Sequence, residues 1–204
     1  MRVPFFLEPD YINKGSSFRE SHEQRMVRKF GSVDAFNRVK KSHGLIPRGA
    51  EVGLDGSVGF TQERLDKRVQ SSTLASHRIV LYVTQRYGLD KSERLYDCLN
   101  QAHFIHSRAL ADNELLESCL KAVLDGKELE EAVEYLHSDR GTEEVLALYD
   151  QTQNAGLHSI PTLIIDGRVV ISGAAQAGEV RAALEQVIAE GPTGTRAFQS
   201  PVIQ

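Results

Sequence analysis

Residues 159–174 read Ser159-Ile160-Pro161-Thr162-Leu163-Ile164-Ile165-Asp166-Gly167-Arg168-Val169-Val170-Ile171-Ser172-Gly173-Ala174. Thr162 to Ile165 is an apolar, largely β-branched run, and Asp166-Gly167 is a dipeptide favoured by tight two-residue turns. Arg168 to Ser172 supplies a return strand of similar length. Gly173 breaks that strand, and Pro161, with no N–H to give to a ladder, starts the first one. The stretch predicts an antiparallel hairpin.

Beyond the hairpin an alanine-rich helix runs from about Gly178 to Ala189, and residues 191–204 have the composition of a frayed tail. Before it the apolar spacing is helical. Helices are expected over Thr142–Ala155 (ended by Gly156), Leu129–His137, Asn113–Leu124 (capped by Asp112, stopped by Gly126) and Lys91–His106. A further helix holding Leu74, His77, Arg78, Val80 and Leu81 is closed by Gly88. Residues 44–60 hold five glycines and Pro47, which reads as a long loop. Ahead of it lie a helix from Ser32 or Val33 to near Gly44 and one from about Phe18 to Phe30, ended by Gly31. Ser17 and Glu20 stand at capping-box spacing for the latter. Val3 to Leu7 reads as a short buried strand, cut off by Pro9.

The totals narrow the function classes. A chain of 204 residues with 41% hydrophobic content can bury one good core, with room for a sub-domain. The net charge of −4 leaves no basic excess to neutralise phosphates, so nucleic acid is not an expected partner. Cations between Arg19 and Lys41 are diluted by Glu20, Glu23 and Asp34 and read as solvated helix faces. No apolar run is long enough for a bilayer, and Met1 to Leu7 is too short for a secretory signal. A cytoplasmic location, with no membrane partner, is the expectation. Cys98 and Cys119 are the two cysteines and do not make a secreted-type disulfide framework.

Ser159-Ile160-Pro161-Thr162, Asp166-Gly167 and then Ser172-Gly173-Ala174 with Gln176 are similar to the C-terminal signature of DsbA-family oxidoreductases of the FrnE type. Ile160 stands where valine is usual and Ser159 where glycine is usual. Other matches follow in order. Pro4-Phe5, Leu7, Pro9 and Gly15 resemble the segment after the family's redox helix. Thr73-Leu74-Ala75-Ser76-His77-Arg78 resembles a family stretch ending Ala-His-Arg, with Ser76 in place of alanine. Ala102-His103-Phe104, Leu110, Asp112 and Leu115 fit a later one. The resemblance covers roughly residues 3 to 188.

It implies an α/β, thioredoxin-like fold of the DsbA type with a large helical insertion. Residues 1–16 and 157–190 would form the thioredoxin-like part, 17–156 the helical insertion and 191–204 a flexible tail. The family's first strand and its Cys-x-x-Cys helix have no counterpart in this sequence. That strand would lie between residues 3–7 and the hairpin, so the opening strand is left without a neighbour. Dimer exchange or recruitment of another segment would supply one, and an incomplete gene model or a splice form would also account for the gap.

In this superfamily the proline before the third strand is cis and sets the preceding residue against the redox cysteine; Ile160-Pro161 is expected to be cis by that resemblance. Ser159, Ile160 and Pro161 are then the candidate substrate-binding residues, with the Ile160 backbone pairing an extended peptide or glutathione by strand addition. His77, at a matched position on its long helix, is a weaker binding candidate; a packed or interface histidine is the plainer reading. His158 beside the proline loop would tune a thiolate supplied from elsewhere. His103 and His106 stand one turn apart without further ligands, so no metal site is assigned. The Gly53–Gly59 run lacks phosphate-cradle spacing.

Cys98 and Cys119 sit mid-helix, where no free amides would stabilise a thiolate, so no catalytic residue is assignable. They read as two small buried hydrophobes that face one another rather than as a disulfide, because packed helix axes stand farther apart than a disulfide spans comfortably. Thiol–disulfide oxidoreduction is the activity the resemblance implies, with little or none expected from this chain. The alternatives are a peptide-binding module that has lost its chemistry and a glutathione-dependent transferase or isomerase of the same fold. Protein thiols, an extended peptide or glutathione are the implied partners; no cofactor is expected, glutathione entering only as a substrate.

Overall fold

The computed structural model describes residues 2–43, 67–158, 160–167, 169–173 and 175–193. The loop expected at 44–60, the Gly53–Gly59 run, most of the tail, and Ser159, Arg168 and Ala174 lie outside the described residues. Among the described residues the chain is mainly helical, with two small antiparallel sheets, a mixed α/β class. It divides into two compact units: Leu7–Thr142, and Arg2–Phe6 together with the chain from Glu143 onward. No helix among the described residues is long and apolar enough to cross a membrane.

The first unit opens with a 3₁₀ helix, Pro9–Lys14, and a minimal ribbon in which β1 (Glu20–Ser21) pairs with β2 (Val69–Gln70). α1 (His22–Phe30) starts in a capping box: the Ser21 hydroxyl accepts from Gln24 N–H at 3.1 Å and the Gln24 side chain accepts from Ser21 N–H at 2.8 Å. Gly31 ends it in the left-handed conformation, donating to the Val27 carbonyl at 2.8 Å. α2 (Val33–His43) follows, with Ser32 Oγ accepting from Ala35 N–H and Phe36 stacked on Phe30. Arg28 reaches Glu8 at 3.0 Å and Glu20 at 3.1 Å, tying the 3₁₀ turn and β1 to α1.

α3 (Leu74–Tyr87), α4 (Leu89–Asn100), α5 (Asn113–Lys121) and α6 (Gly126–His137) build the main core. Each contributes apolar residues at helical spacing: Ile79 and Val83, Leu95 and Leu99, Leu116 and Leu120, Ala132 and Leu136. Burying each of the leucines is worth about 1.5–3 kcal/mol, which is where this unit gains its stability. Asp112 caps α5 by accepting from Glu114 N–H. Tyr135, fully buried on α6, stacks on Tyr82 at 4.1 Å between centroids. Gly141, at φ 77°, passes so close that a Cβ there would stand 1.6 Å from the Tyr135 hydroxyl. A stretch of π-helix, Gln101–Ile105, extends α4, with His106 N–H donating to Gln101 O.

The second unit holds α7 (Thr142–Asn154) from Glu143 on, the hairpin of β3 (Thr162–Ile165) and β4 (Val169–Ser172), and α8 (Ala177–Glu190). Val145 and Leu148 are buried on α7, and Tyr149 meets Phe5 and Phe6 edge-on at 6.1 and 5.0 Å. α8 packs along β3.

Several expectations are corrected. Residues 3–7 form no strand: Pro4 and Phe6 are buried and Phe6 anchors on Tyr149, so ring packing rather than a ladder holds the segment. The first capping box lies at Ser21 and Gln24, not Ser17 and Glu20, because Glu20 and Ser21 are taken up by the pairing with β2. Gly126 begins α6 rather than merely stopping α5. By internal contacts α7 groups with the hairpin, and Leu7–Thr142 forms the other unit.

Candidate functional site

The hairpin has the register its sequence dictates: Thr162 opposite Ser172, Leu163 opposite Ile171, Ile164 opposite Val170 and Ile165 opposite Val169. Its turn residues, Asp166 at φ 51° and Gly167 at φ 71°, are both left-handed, the geometry whose twist matches paired strands. The turn is tied to the chain after α8, since Asp166 Oδ2 accepts from Thr193 N–H at 2.8 Å. At the other end Gly173 N–H donates to the Pro161 carbonyl at 2.9 Å. The Ile160–Pro161 peptide bond is cis.

Directly opposed residues share a face, so Leu163 and Ile171 lie on one side and Ile164 and Val170 on the other. Leu163 is 40% exposed and Val170 54%, so each face keeps an open apolar side chain, and Ile160 beside them is 48% exposed. Among the described residues β3 pairs with β4 alone. A two-stranded ribbon with apolar groups on both faces is marginal by itself and gains from any added strand.

His158 is held by Gln153, its Nδ1 lying 3.2 Å from Oε1 of that side chain. His77 belongs to the helical unit, half-buried on α3, and its N–H continues the helix to Thr73 O at 3.0 Å. Its neighbour Arg78 carries a role that sequence reasoning missed. The buried guanidinium donates to the carbonyls of Arg140 (2.7 Å), Tyr135 (3.2 Å) and Ser138, where α6 ends. Burial pulls its pKa down, as expected for a cation held chiefly by carbonyl dipoles. The sequence signals were its place at the end of the Thr73–Arg78 stretch and its position in a helix beside apolar Ile79 and Val80.

Cys98 and Cys119 do meet, with Sγ atoms 2.7 Å apart between α4 and α5. Cys119 is fully buried and Cys98 half-buried. Burial first, and then the neighbouring sulfur, push the Cys119 thiol well above its ordinary range. Both are free thiols. His103 turns inward, with Nδ1 2.9 Å from the Arg108 carbonyl, which identifies that nitrogen as the protonated one. Burial outweighs this bond and holds its pKa down at about 4. No group of three or more His, Cys, Asp or Glu among the described residues is arranged to hold a metal ion. No protein-family model and no curated protein matches this chain.

Proposed function

We propose that the chain is a thioredoxin-like relative of the DsbA-type oxidoreductases that binds an extended peptide against Ile160–Pro161 and the neighbouring hairpin, without turning over disulfides itself. The observation that carries the reading is the open apolar trio of Ile160, Leu163 and Val170 on a ribbon whose β3 has a strand on one side among the described residues. Such a ribbon takes a third strand through main-chain hydrogen bonds, and exposed alternate side chains select among peptides. The two cysteines in hand support the non-catalytic half, since they stand on separate helices and Cys119 is buried with its thiol held protonated.

The test is a fluorescence-polarisation titration of the full chain with a labelled, cysteine-free peptide of roughly ten residues rich in valine and threonine. Saturable binding is expected, unchanged when a cysteine is added to the peptide and weakened roughly tenfold or more by Ile160→Asp. Absence of binding overturns the reading. Robust reduction of insulin disulfides by the purified chain overturns its non-catalytic half. Saturable binding of glutathione with no peptide affinity would replace it with the transferase alternative.

A further inference from the structure

The two cysteines lie in the helical unit and take no part in the proposed peptide site. Their sulfurs stand 2.7 Å apart, each on a different helix, and the sequence contains no third cysteine to compete within the chain. Helix-axis spacing argued against a bond here, yet both side chains project into the same interface, so the sulfurs meet although the backbones do not. At 2.7 Å the sulfurs lie within ~1 Å of the separation in a bond of about 2 Å. Access is graded: Cys98 is half-buried, whereas Cys119 is 1% exposed and packed among Leu95, Leu116 and Leu120.

We infer that Cys98 and Cys119 form a reversible intramolecular disulfide, cross-linking α4 to α5, when the chain meets a low-molecular-weight disulfide. The order of steps follows from access. Cys98, as thiolate, attacks one sulfur of the small disulfide; the S–S bond breaks, a mixed disulfide forms on Cys98, and one small thiolate leaves and takes up a proton. Cys119 then gives its proton to the second departing thiolate as its sulfur attacks that of Cys98. In sum two protein thiols are oxidised and one small disulfide is reduced to two thiols, with no other reactant. Cys119 serves as the resolving thiol because the only electrophile that reaches it is the one carried by its neighbour. The bond closes the segment running through the π-helical stretch and the α5 cap, and so restricts the unfolded chain.

The experiment exposes the folded full-length chain to excess glutathione disulfide, then alkylates the protein after unfolding and measures its intact mass. A monomer lighter by about 2 Da, with no alkylated thiol and full reversal by dithiothreitol, is expected. The unfolding midpoint should rise by roughly 6 °C on oxidation. Cys119→Ser should trap a single glutathione on Cys98, and Cys98→Ser should take up none while folded. Two thiols still open to alkylation, a glutathione adduct that persists on the unaltered chain, or a disulfide-linked dimer would each overturn the inference. So would a Cys119→Ser chain that stays unmodified, even if the unaltered chain loses both thiols by another route.

Discussion

The carbonyl oxygen of Pro161 accepts a hydrogen bond from the Gly173 N–H at 2.9 Å, one step beyond the last strand pair, Thr162 opposite Ser172. The loop that carries Ile160 is therefore fastened to the end of β4 as well as to the start of β3. Gly173 holds φ 92°, where a side chain is strained even though no atom stands within 4 Å of the Cβ position. Gly173→Ala should cost about 1 kcal/mol through the backbone alone. Denaturant unfolding reads the loss, and faster amide exchange in β3 and β4 locates it. Unchanged stability and exchange would show that this closure does not hold the loop.

Arg78 satisfies three carbonyls at the end of α6 with one guanidinium, a fan that a point-like ammonium cannot reproduce. Arg78→Met keeps the apolar stem but takes the guanidinium donors from all three carbonyls, of which that of Tyr135 keeps the Ser138 N–H and hydroxyl. A loss of about 2–4 kcal/mol is expected by urea unfolding, with Arg78→Lys recovering only part of it. Full recovery by lysine would mean that charge rather than geometry matters here.

His103 is neutral in the folded chain down to about pH 4, because burial opposes its protonation. In the unfolded chain it titrates near pH 6.5. Between those values the unfolded state binds the extra proton, so stability falls as the pH is lowered through this window and is fully present above it. Over the whole window the effect is on the order of 3 kcal/mol. Unfolding series from pH 7 to pH 4 on the unaltered chain and on His103→Gln should diverge in slope by up to one proton, the variant being flatter. Parallel curves would place the histidine's charge in contact with water.

Much of the local structure was legible in the sequence because it rests on short-range chemistry. The Asp166-Gly167 turn demands two left-handed residues, and short β-branched runs of matching length flank it, so the hairpin and its register follow from a dozen residues. The helices over 74–87, 113–121 and 142–154 follow from apolar spacing, and the Asp112 cap from its side-chain oxygen. The capping box was misplaced by four residues because Ser17 and Ser21 both offer the motif and a long-range pairing with Val69 and Gln70 selects the second. For the candidate site, Ile160 and Pro161 were named from the resemblance alone; the openness of Leu163 and Val170 on opposite faces was not, since alternation says which residues share a face but not which face is covered.

The sequence by itself determined most of the helices, the hairpin turn and the slight acidic excess, each a property of composition or of neighbours along the chain. Only the tertiary structure decided that Phe6 packs on Tyr149 instead of entering a strand, that Arg78 on α3 reaches the carbonyls at the end of α6, and that the sulfurs of Cys98 and Cys119 touch. Those outcomes depend on which helices and rings come to lie side to side. Spacing sets the face on which a side chain stands; the partner across the gap, and the distance to it, come from packing the whole core.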